Sequence, residues 1–93
     1  MKYGVAYYQK CGSDWMWNGC KLIVTESEYV LKCLFWTIET FPIEKTRACK
    51  IPNHFYYKGI KISDGTRAYH LYFYPRTAEK IYRQFRLATE EKI

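Results

Sequence analysis

YYKGIKISDGTRAYHLYFYPRTAEKIYRQF, residues Tyr56–Phe85, contains the two periodicities that decide the fold. Up to Tyr74, apolar and polar residues alternate with period two, which is typical of strands that bury one face. From Pro75 onward, the apolar residues follow the i, i+3, i+4 spacing of an amphipathic helix: Ala78, Ile81, Tyr82, Phe85 and Ala88. The stretch therefore predicts a β-hairpin followed by one helix over about residues 76–91.

The hairpin has Asp64-Gly65 as its predicted two-residue turn, since that dipeptide readily adopts the positive φ angles of a type I′ turn. Pairing outward from this turn sets Tyr57 opposite Tyr72. Alternation then assigns an apolar set to the buried face: Ile60, Ile62, Tyr69, Leu71 and Phe73. The opposite face receives a polar and aromatic set: Tyr57, Gly59, Lys61, Ala68, His70 and Tyr72.

A second turn is predicted at Asn18-Gly19, because WMWNGCKLIVT, residues 15–25, places this dipeptide between two apolar runs. With the turn at that position, Trp15 and Trp17 share a face with three apolar residues: Cys20, Leu22 and Val24. This is the more apolar of the two faces. The prediction is that both tryptophans face the core.

The segment YVLKCLFW, residues 29–36, also alternates and predicts a core face of four residues: Tyr29, Leu31, Cys33 and Phe35. Pro42 follows and favours a sheet edge or a strand junction, since it cannot donate a hydrogen bond. An aromatic fraction of 19% also favours strands. These patterns predict an α+β, mainly β fold of about six to seven antiparallel strands capped by one C-terminal amphipathic helix.

A length of 93 residues favours a single domain over residues 1–93, since so short a chain buries only roughly 60–65% of its unfolded surface. The segment MKYGVAYYQK lacks the apolar core of a signal peptide, and no window approaches the roughly 18 apolar residues of a membrane span. The cysteines form no Cys-x-x-Cys pair: Cys11, Cys20, Cys33 and Cys49. The interpretation is a cytoplasmic protein with reduced thiols, no metal and no cofactor.

The order of several antiparallel strands and one C-terminal helix is similar to that of a pleckstrin-homology-like (PH-like) domain. GCKLIVTESEYVLKC, Gly19–Cys33, looks like the opening strands of bacterial PH-like and GRAM-type domains. FPIEKTRACKI, Phe41–Ile51, resembles their middle segment, and Gly59–Phe85 resembles their last hairpin and helix. The resemblance implies a PH-like β-barrel or sandwich. Thr46 stands where the family usually has Ile, and the first loop lacks the basic signature of phosphoinositide-binding members.

No constellation of residues points to catalysis. His54 lies in a predicted loop and His70 on a strand, and neither has an evident nucleophile or acid beside it. The glycines stand mostly at turns and form no phosphate-binding loop. The prediction is a non-enzyme that acts by binding.

The candidate binding surface is the polar and aromatic face of the last hairpin. Aromatic groups interleaved with cations suit a protein hot spot or the stacking of bases. The residues predicted to contact a partner are Tyr57, Lys58, Lys61, His70 and Tyr72. A protein is the expected partner, with the chain acting as an adaptor or as an inhibitor of a nucleic-acid enzyme. A solvated or packed face without a ligand is the alternative.

Positive charge is concentrated in the middle of the chain, whose net charge is +6. Residues 11–44 contain two basic and five acidic side chains, whereas residues 45–67 contain six basic side chains against Asp64 alone. The basic pole includes Lys45, Arg47, Lys50 and Arg67. Such a pole is compatible with nucleic acid, anionic lipid or an acidic protein partner, and by itself it does not choose among them. Nucleic-acid binding through residues 45–67 and binding to anionic lipid stay open as alternatives.

Overall fold

The computed structural model describes residues 1–84 as seven strands, one short 3-10 helix and one α-helix. The strands are β1 (Lys2–Lys10), β2 (Trp17–Val24), β3 (Glu28–Cys33), β4 (Trp36–Pro42), β5 (Arg47–His54), β6 (Tyr57–Ser63) and β7 (Ala68–Phe73). The 3-10 helix Ile43–Lys45 joins β4 to β5. The α-helix, α1 (Pro75–Gln84), follows β7.

All the strands lie in one antiparallel sheet with the order β4-β3-β2-β1-β7-β6-β5. Strand β1 is therefore central, and it pairs with both β2 and β7. The outermost strands β4 and β5 do not pair with each other, so the sheet is not closed. The prediction of a mainly β, α+β fold with antiparallel strands and a C-terminal helix is confirmed, with the strands arranged as one open sheet.

The sheet curls around a single core, because residues from both of its halves and from α1 line the same small internal cavity: Leu22, Val24, Tyr29, Ala48, Ile60, Ile62 and Ile81. Leu31, Phe41 and Phe73 are completely enclosed. Full burial of one such side chain is worth about 1.5–3 kcal/mol. The two halves of the sheet and the helix therefore stabilise one another through shared side-chain contacts.

Helix α1 begins at Pro75, where the missing N–H of proline does no harm to the helix. Ala78 and Ile81 of the predicted apolar stripe are buried, and Tyr82 packs partly against the core. Phe85, Ala88 and the rest of the helix predicted to residue 91 lie outside the described residues. Within residues 1–84, no helix has the length and apolar character needed to cross a membrane.

The β6–β7 hairpin has the two faces that alternation predicts, and its whole predicted core set is buried: Ile60, Ile62, Tyr69, Leu71 and Phe73. Its register differs from the predicted one, since Ile60 pairs with Leu71. The turn is centred on Gly65 and Thr66, because the Asp64 carboxylate accepts the backbone N–H groups of Thr66 at 2.9 Å and Arg67 at 2.8 Å. The resulting register shift of two residues leaves both faces unchanged.

The predicted turn at Asn18-Gly19 is wrong, since both residues lie inside β2. Residues 11–16 connect β1 to β2 instead, with Gly12 at a φ of 93°. Gly19 does adopt a positive φ of 78°, but in a strand whose Asn18 pairs with Tyr7 of β1. Gly19 therefore adopts the positive φ that makes this dipeptide common in turns, but it does so within a paired strand.

Trp15 and Trp17 are 72% and 45% exposed, so the prediction that both face the core is wrong. Trp15 lies in the β1–β2 connection, and Trp17 is the first residue of β2. Trp17 stacks on Tyr8, with ring centroids 5.6 Å apart, and covers this buried residue where the sheet ends. The remainder of the predicted face is correct, because these residues are buried: Cys20, Leu22 and Val24.

Strand β3 ends at Cys33, and Leu34 and Phe35 form the turn to β4. Phe35, predicted to face the core, is 90% exposed. Leu34 has a φ of 47°, which reverses the chain at this point. This turn contains no glycine, proline or asparagine, so nothing in its composition distinguishes it from a continuing strand. The other predicted core residues of β3 are wholly or partly buried: Tyr29, Leu31 and Cys33.

Candidate functional site

Four of the five side chains predicted to contact a partner lie on the face of β6 and β7 that points away from the core. Lys61 is directly opposite His70, and both are partly exposed, as is Tyr57. Tyr72 is only 8% exposed, so the expectation of an exposed side chain is wrong for this residue. The reason is the ring of His54, whose centroid lies 5.4 Å from that of Tyr72. That these residues contact a partner stays a prediction.

Lys58 lies on the opposite face of the sheet from the other four. It pairs with Phe73, a buried residue, and it alternates along β6 with Tyr57. The β6–β7 register therefore does not bring Lys58 together with the rest of the predicted surface.

A network of aromatic rings extends the outer face across β1, β7, β6 and β5. Between ring centroids, Tyr57 is 5.2 Å from Tyr7, and His54 is 6.5 Å from Tyr7. The strand ladders create these contacts, because Tyr7 pairs with Tyr72 and His54 pairs with Tyr57. We call the whole set the aromatic face: Tyr7, His54, Phe55, Tyr56, Tyr57, Tyr72 and Tyr74.

The exposed part of the aromatic face is the turn between β5 and β6 together with the residue after β7. Phe55 is 83% exposed, Tyr56 61% and Tyr74 50%. Phe55 has a φ of 54°, a conformation that bulky side chains rarely adopt, and its ring lies 4.5 Å from that of His54. The turn thus presents large aromatic side chains that the core does not use.

Tyr56 and Tyr57 form the most closely packed ring pair of the aromatic face. Their ring centroids are 4.3 Å apart, and their hydroxyl groups are hydrogen-bonded at 3.1 Å. This hydrogen bond, followed by burial, raises the pKa of Tyr57 above its usual value. Tyr57 therefore presents a neutral hydroxyl group, and no negative charge, near neutral pH.

Arg67, counted in the basic pole, is engaged inside the fold. Its guanidinium donates to the carboxylate of Glu39 and, at 2.9 Å, to Oδ2 of Asp64. Both carboxylates are largely shielded from solvent. The positive charge of Arg67 is therefore neutralised by β4 and by its own turn.

The other members of the basic pole do not converge on one surface. Lys50 places its ammonium group 4.3 Å from the ring centroid of Tyr82, on the helix side of β5. Arg47 stands three positions earlier on the same strand and therefore faces the other way. Lys45 belongs to the 3-10 helix before β5. The structure thus separates residues that are close in sequence.

The described residues include no group of three or more histidine, cysteine or acidic side chains that could hold a metal ion. All four cysteines are free thiols. Burial, with a smaller contribution from Cys33, raises the pKa of Cys20 to about 12. Cys20 is thus a neutral thiol near neutral pH and is poorly suited to act as a nucleophile.

Sequence reasoning missed several members of the aromatic face: Tyr7, His54, Phe55, Tyr56 and Tyr74. One signal was present in HFYY, residues 54–57, which places four ring side chains in succession. A strand points successive side chains to opposite faces, so such a run cannot bury all of its rings on one side. The participation of Tyr7 could not be read from this signal, because it depends on the pairing of β1 with β7.

Comparison of the sequence with protein-family models, with curated proteins and with solved structures finds no match. The chemistry of the aromatic face therefore rests on its own residues, distances and exposure.

Proposed function

We propose that this protein is a non-catalytic binding module whose aromatic face docks on a protein partner. The observation that carries the proposal is the exposed set of Phe55, Tyr56 and Tyr74 above a floor of packed rings. Aromatic side chains, tyrosine and tryptophan above all, dominate the energetics of protein interfaces. Phe55 and Tyr74 pack against the rings of His54 and Tyr57, which reduces the conformational entropy that these side chains lose when a partner binds.

The ring geometry favours a protein over a nucleic acid at this face. Tyr57 meets both Tyr7 and Tyr74 nearly edge-on, at interplanar angles of 71° and 73°. These neighbouring rings therefore restrict the stacking of a base on Tyr57. Lys58 points to the other side of the sheet, and Arg67 is ion-paired. Beside Lys61 and His70, this side of the sheet presents mainly aromatic rings and tyrosine hydroxyl groups, which suit a largely apolar protein surface with a few polar groups.

The proposal includes a role as an adaptor, or as an inhibitor of a nucleic-acid enzyme, in the cytoplasm. The four free thiols support a reducing compartment, since oxidising compartments favour disulfides.

The PH-like resemblance stays a prediction. Its support is an element order of antiparallel strands followed by a C-terminal helix.

The experiment is affinity capture from a lysate of the source organism with three immobilised proteins: wild type, the double variant F55S/Y56S and the control W15S. Phe55, Tyr56 and Trp15 are all exposed, and surface substitutions usually change stability by no more than about 0.5 kcal/mol each. Wild type and W15S should retain the same protein in stoichiometric amount after nuclease treatment. F55S/Y56S should lose it, and its affinity for the purified partner should fall about 30-fold or more, as for a hot spot of 2 kcal/mol.

Equal capture by F55S/Y56S would show that the partner uses another surface. Loss of capture after nuclease treatment would show that nucleic acid carries the interaction. Thermal unfolding followed by far-UV circular dichroism, which reports the backbone, separates lost binding from lost structure, and Y74S provides an independent change on the same face.

A further inference from the structure

Lys21 of β2 and Lys32 of β3 are directly opposite each other in the sheet. Like charges in such a cross-strand pair destabilise a sheet. Among residues 1–84, no carboxylate forms an ion pair with either lysine, and both side chains are exposed. The fold thus keeps two positive charges side by side without neutralising them.

These lysines line a groove of about 270 Å³ on the outer face of β1, β2 and β3. Lys2 contributes a third cation, and Gly19 and Ile23 provide uncharged lining. Lys2 also lines a second, shallower groove with two cations of α1, Lys80 and Arg83. Positive charge therefore continues from β3 across the start of β1 to the helix. We call the first of these two sites the lysine groove.

An exposed apolar turn forms the rim of the lysine groove. Leu34 and Phe35 line the groove directly, and they are 76% and 90% exposed. The next residue, Trp36, is 61% exposed. Within the described residues, neither the Phe35 ring nor the Trp36 ring contacts another aromatic ring. The exposed rings of the aromatic face differ in that each of them contacts a neighbouring ring: Phe55 contacts His54, and Tyr56 and Tyr74 contact Tyr57.

We propose that the lysine groove binds single-stranded nucleic acid, with phosphates against Lys2, Lys21 and Lys32 and a base stacked on Phe35. A cationic groove beside open aromatic rings is the combination that single strands require. An acidic peptide would supply charge without flat rings, and a duplex keeps its bases stacked on one another. The proposal concerns strands β2 and β3, the start of β1 and the turn after β3, and it does not depend on a protein binding to the aromatic face.

The test is fluorescence anisotropy with a labelled oligothymidylate of about 15 nucleotides, titrated at several salt concentrations. The variants are K21Q/K32Q and F35S, and the matched control is K45Q/R47Q, which removes the same charge from residues that do not line the groove. Loss of two phosphate contacts should reduce the slope of log Kobs against log salt by about 1.4, since a single strand contributes about 0.7 per contact. F35S should weaken binding about 5- to 150-fold, the range for one stacked base.

The control K45Q/R47Q should keep most of the affinity of the wild type. The melting temperature of K21Q/K32Q should not fall, because this change removes a like-charge pair from the sheet. Absence of oligonucleotide binding, or an equal loss in K45Q/R47Q, would overturn the proposal. Binding to phosphatidylserine vesicles or to polyglutamate that depends on Lys21 and Lys32, without oligonucleotide binding, would also overturn it and would assign the groove to lipid or to an acidic protein.

Discussion

The guanidinium of Arg67 binds the carboxylate of Glu39, so the β6–β7 turn is tied to the edge strand β4. The same guanidinium donates to the carbonyl oxygen of Thr40 at 3.2 Å and lies 5.1 Å from the ring centroid of Phe41. Strand β4 is at one end of the sheet order, whereas β6 and β7 are in the other half. Arg67 therefore bridges the two halves of a sheet that backbone hydrogen bonds leave open.

Replacing Arg67 with alanine should lower the melting temperature measured by differential scanning calorimetry, because the bridge to β4 is lost. R67K should give an intermediate value, since lysine keeps the charge but lacks the planar fork that reaches several acceptors. R47A, at an exposed position of β5, is the matched control and should change the melting temperature little. Equal melting temperatures for R67A and R47A would contradict a structural role for the bridge.

Asp64 should make the stability of the protein depend on pH. Backbone hydrogen bonds from Arg67 and Thr66, followed by the Arg67 side chain, lower the pKa of Asp64 from 3.8 to about 2. A carboxyl whose pKa is lower in the folded state stabilises the fold above its unfolded pKa, and this contribution is lost as the pH falls through the folded pKa. The stability difference between wild type and D64A should therefore be full at pH 6 and shrink between about pH 4 and pH 2. Urea unfolding at each pH measures it, and a difference that stays constant across this range would refute the pKa assignment.

Gly59 and Gly4 should respond in opposite ways to replacement by alanine. A Cβ atom at Gly59 would meet Cγ1 of Ile51 at 2.6 Å and the carbonyl oxygen of Pro52 at 2.8 Å. G59A should lower the free energy of unfolding by roughly 1–3 kcal/mol, as overpacking usually does. A Cβ at Gly4 meets nothing within 4 Å, so G4A should be neutral or stabilising by up to about 1 kcal/mol. Chemical denaturation measures the stability of both variants. A G59A protein as stable as G4A would contradict the close packing of β5 against Gly59.

Tryptophan fluorescence should report exposed side chains. Trp15, Trp17 and Trp36 are 72%, 45% and 61% exposed. Acrylamide should therefore quench the folded protein nearly as well as free indole, with Trp17 the most protected because it stacks on Tyr8. Single-tryptophan variants separate the three signals. Strong protection of Trp15 from acrylamide would contradict its exposure in the β1–β2 connection.

Thiol labelling should distinguish Cys11 from Cys20. Cys11 is exposed, whereas Cys20 is buried and burial raises its pKa to about 12. At pH 8, a disulfide reagent such as dithionitrobenzoate should modify Cys11 rapidly and Cys20 only when the protein unfolds, because the thiolate is the reactive form. Mass spectrometry of partly labelled protein locates the modified residue, with C11S as the control. Rapid labelling of Cys20 in the folded protein would be incompatible with its place in the core.

Alternation predicted the faces of β6 and β7 because it is a local property of the chain. Ile60 and Leu71 face the core in the predicted register and in the observed one, since a shift of two residues keeps every side chain on its side. Turn positions were less predictable. Asn18-Gly19 is a dipeptide that favours turns, but it lies inside β2. Leu34-Phe35 forms the turn between β3 and β4, although neither residue type favours a turn.

The aromatic face could be predicted only in part. Tyr57 and Tyr72 were assigned to one face from the hairpin alone. Tyr7 reaches this face through the β1–β7 ladder, and His54 reaches it through the irregular end of the β5–β6 ladder. These pairings depend on contacts between segments that are distant in sequence, which no local pattern records. For the same reason, the sequence alone does not predict that Lys2, Lys21 and Lys32 line one groove.

The central position of β1 also sets the order in which the chain can fold during its synthesis. Strands β2, β3 and β4 can extend the sheet from one side of β1 as soon as they leave the ribosome, but the other side waits for β7. Until Ala68–Phe73 has been made, β1 has an unpaired edge, which is a template for association with another chain. Nascent chains halted before Ala68 should therefore be the species most prone to aggregate and most in need of a chaperone.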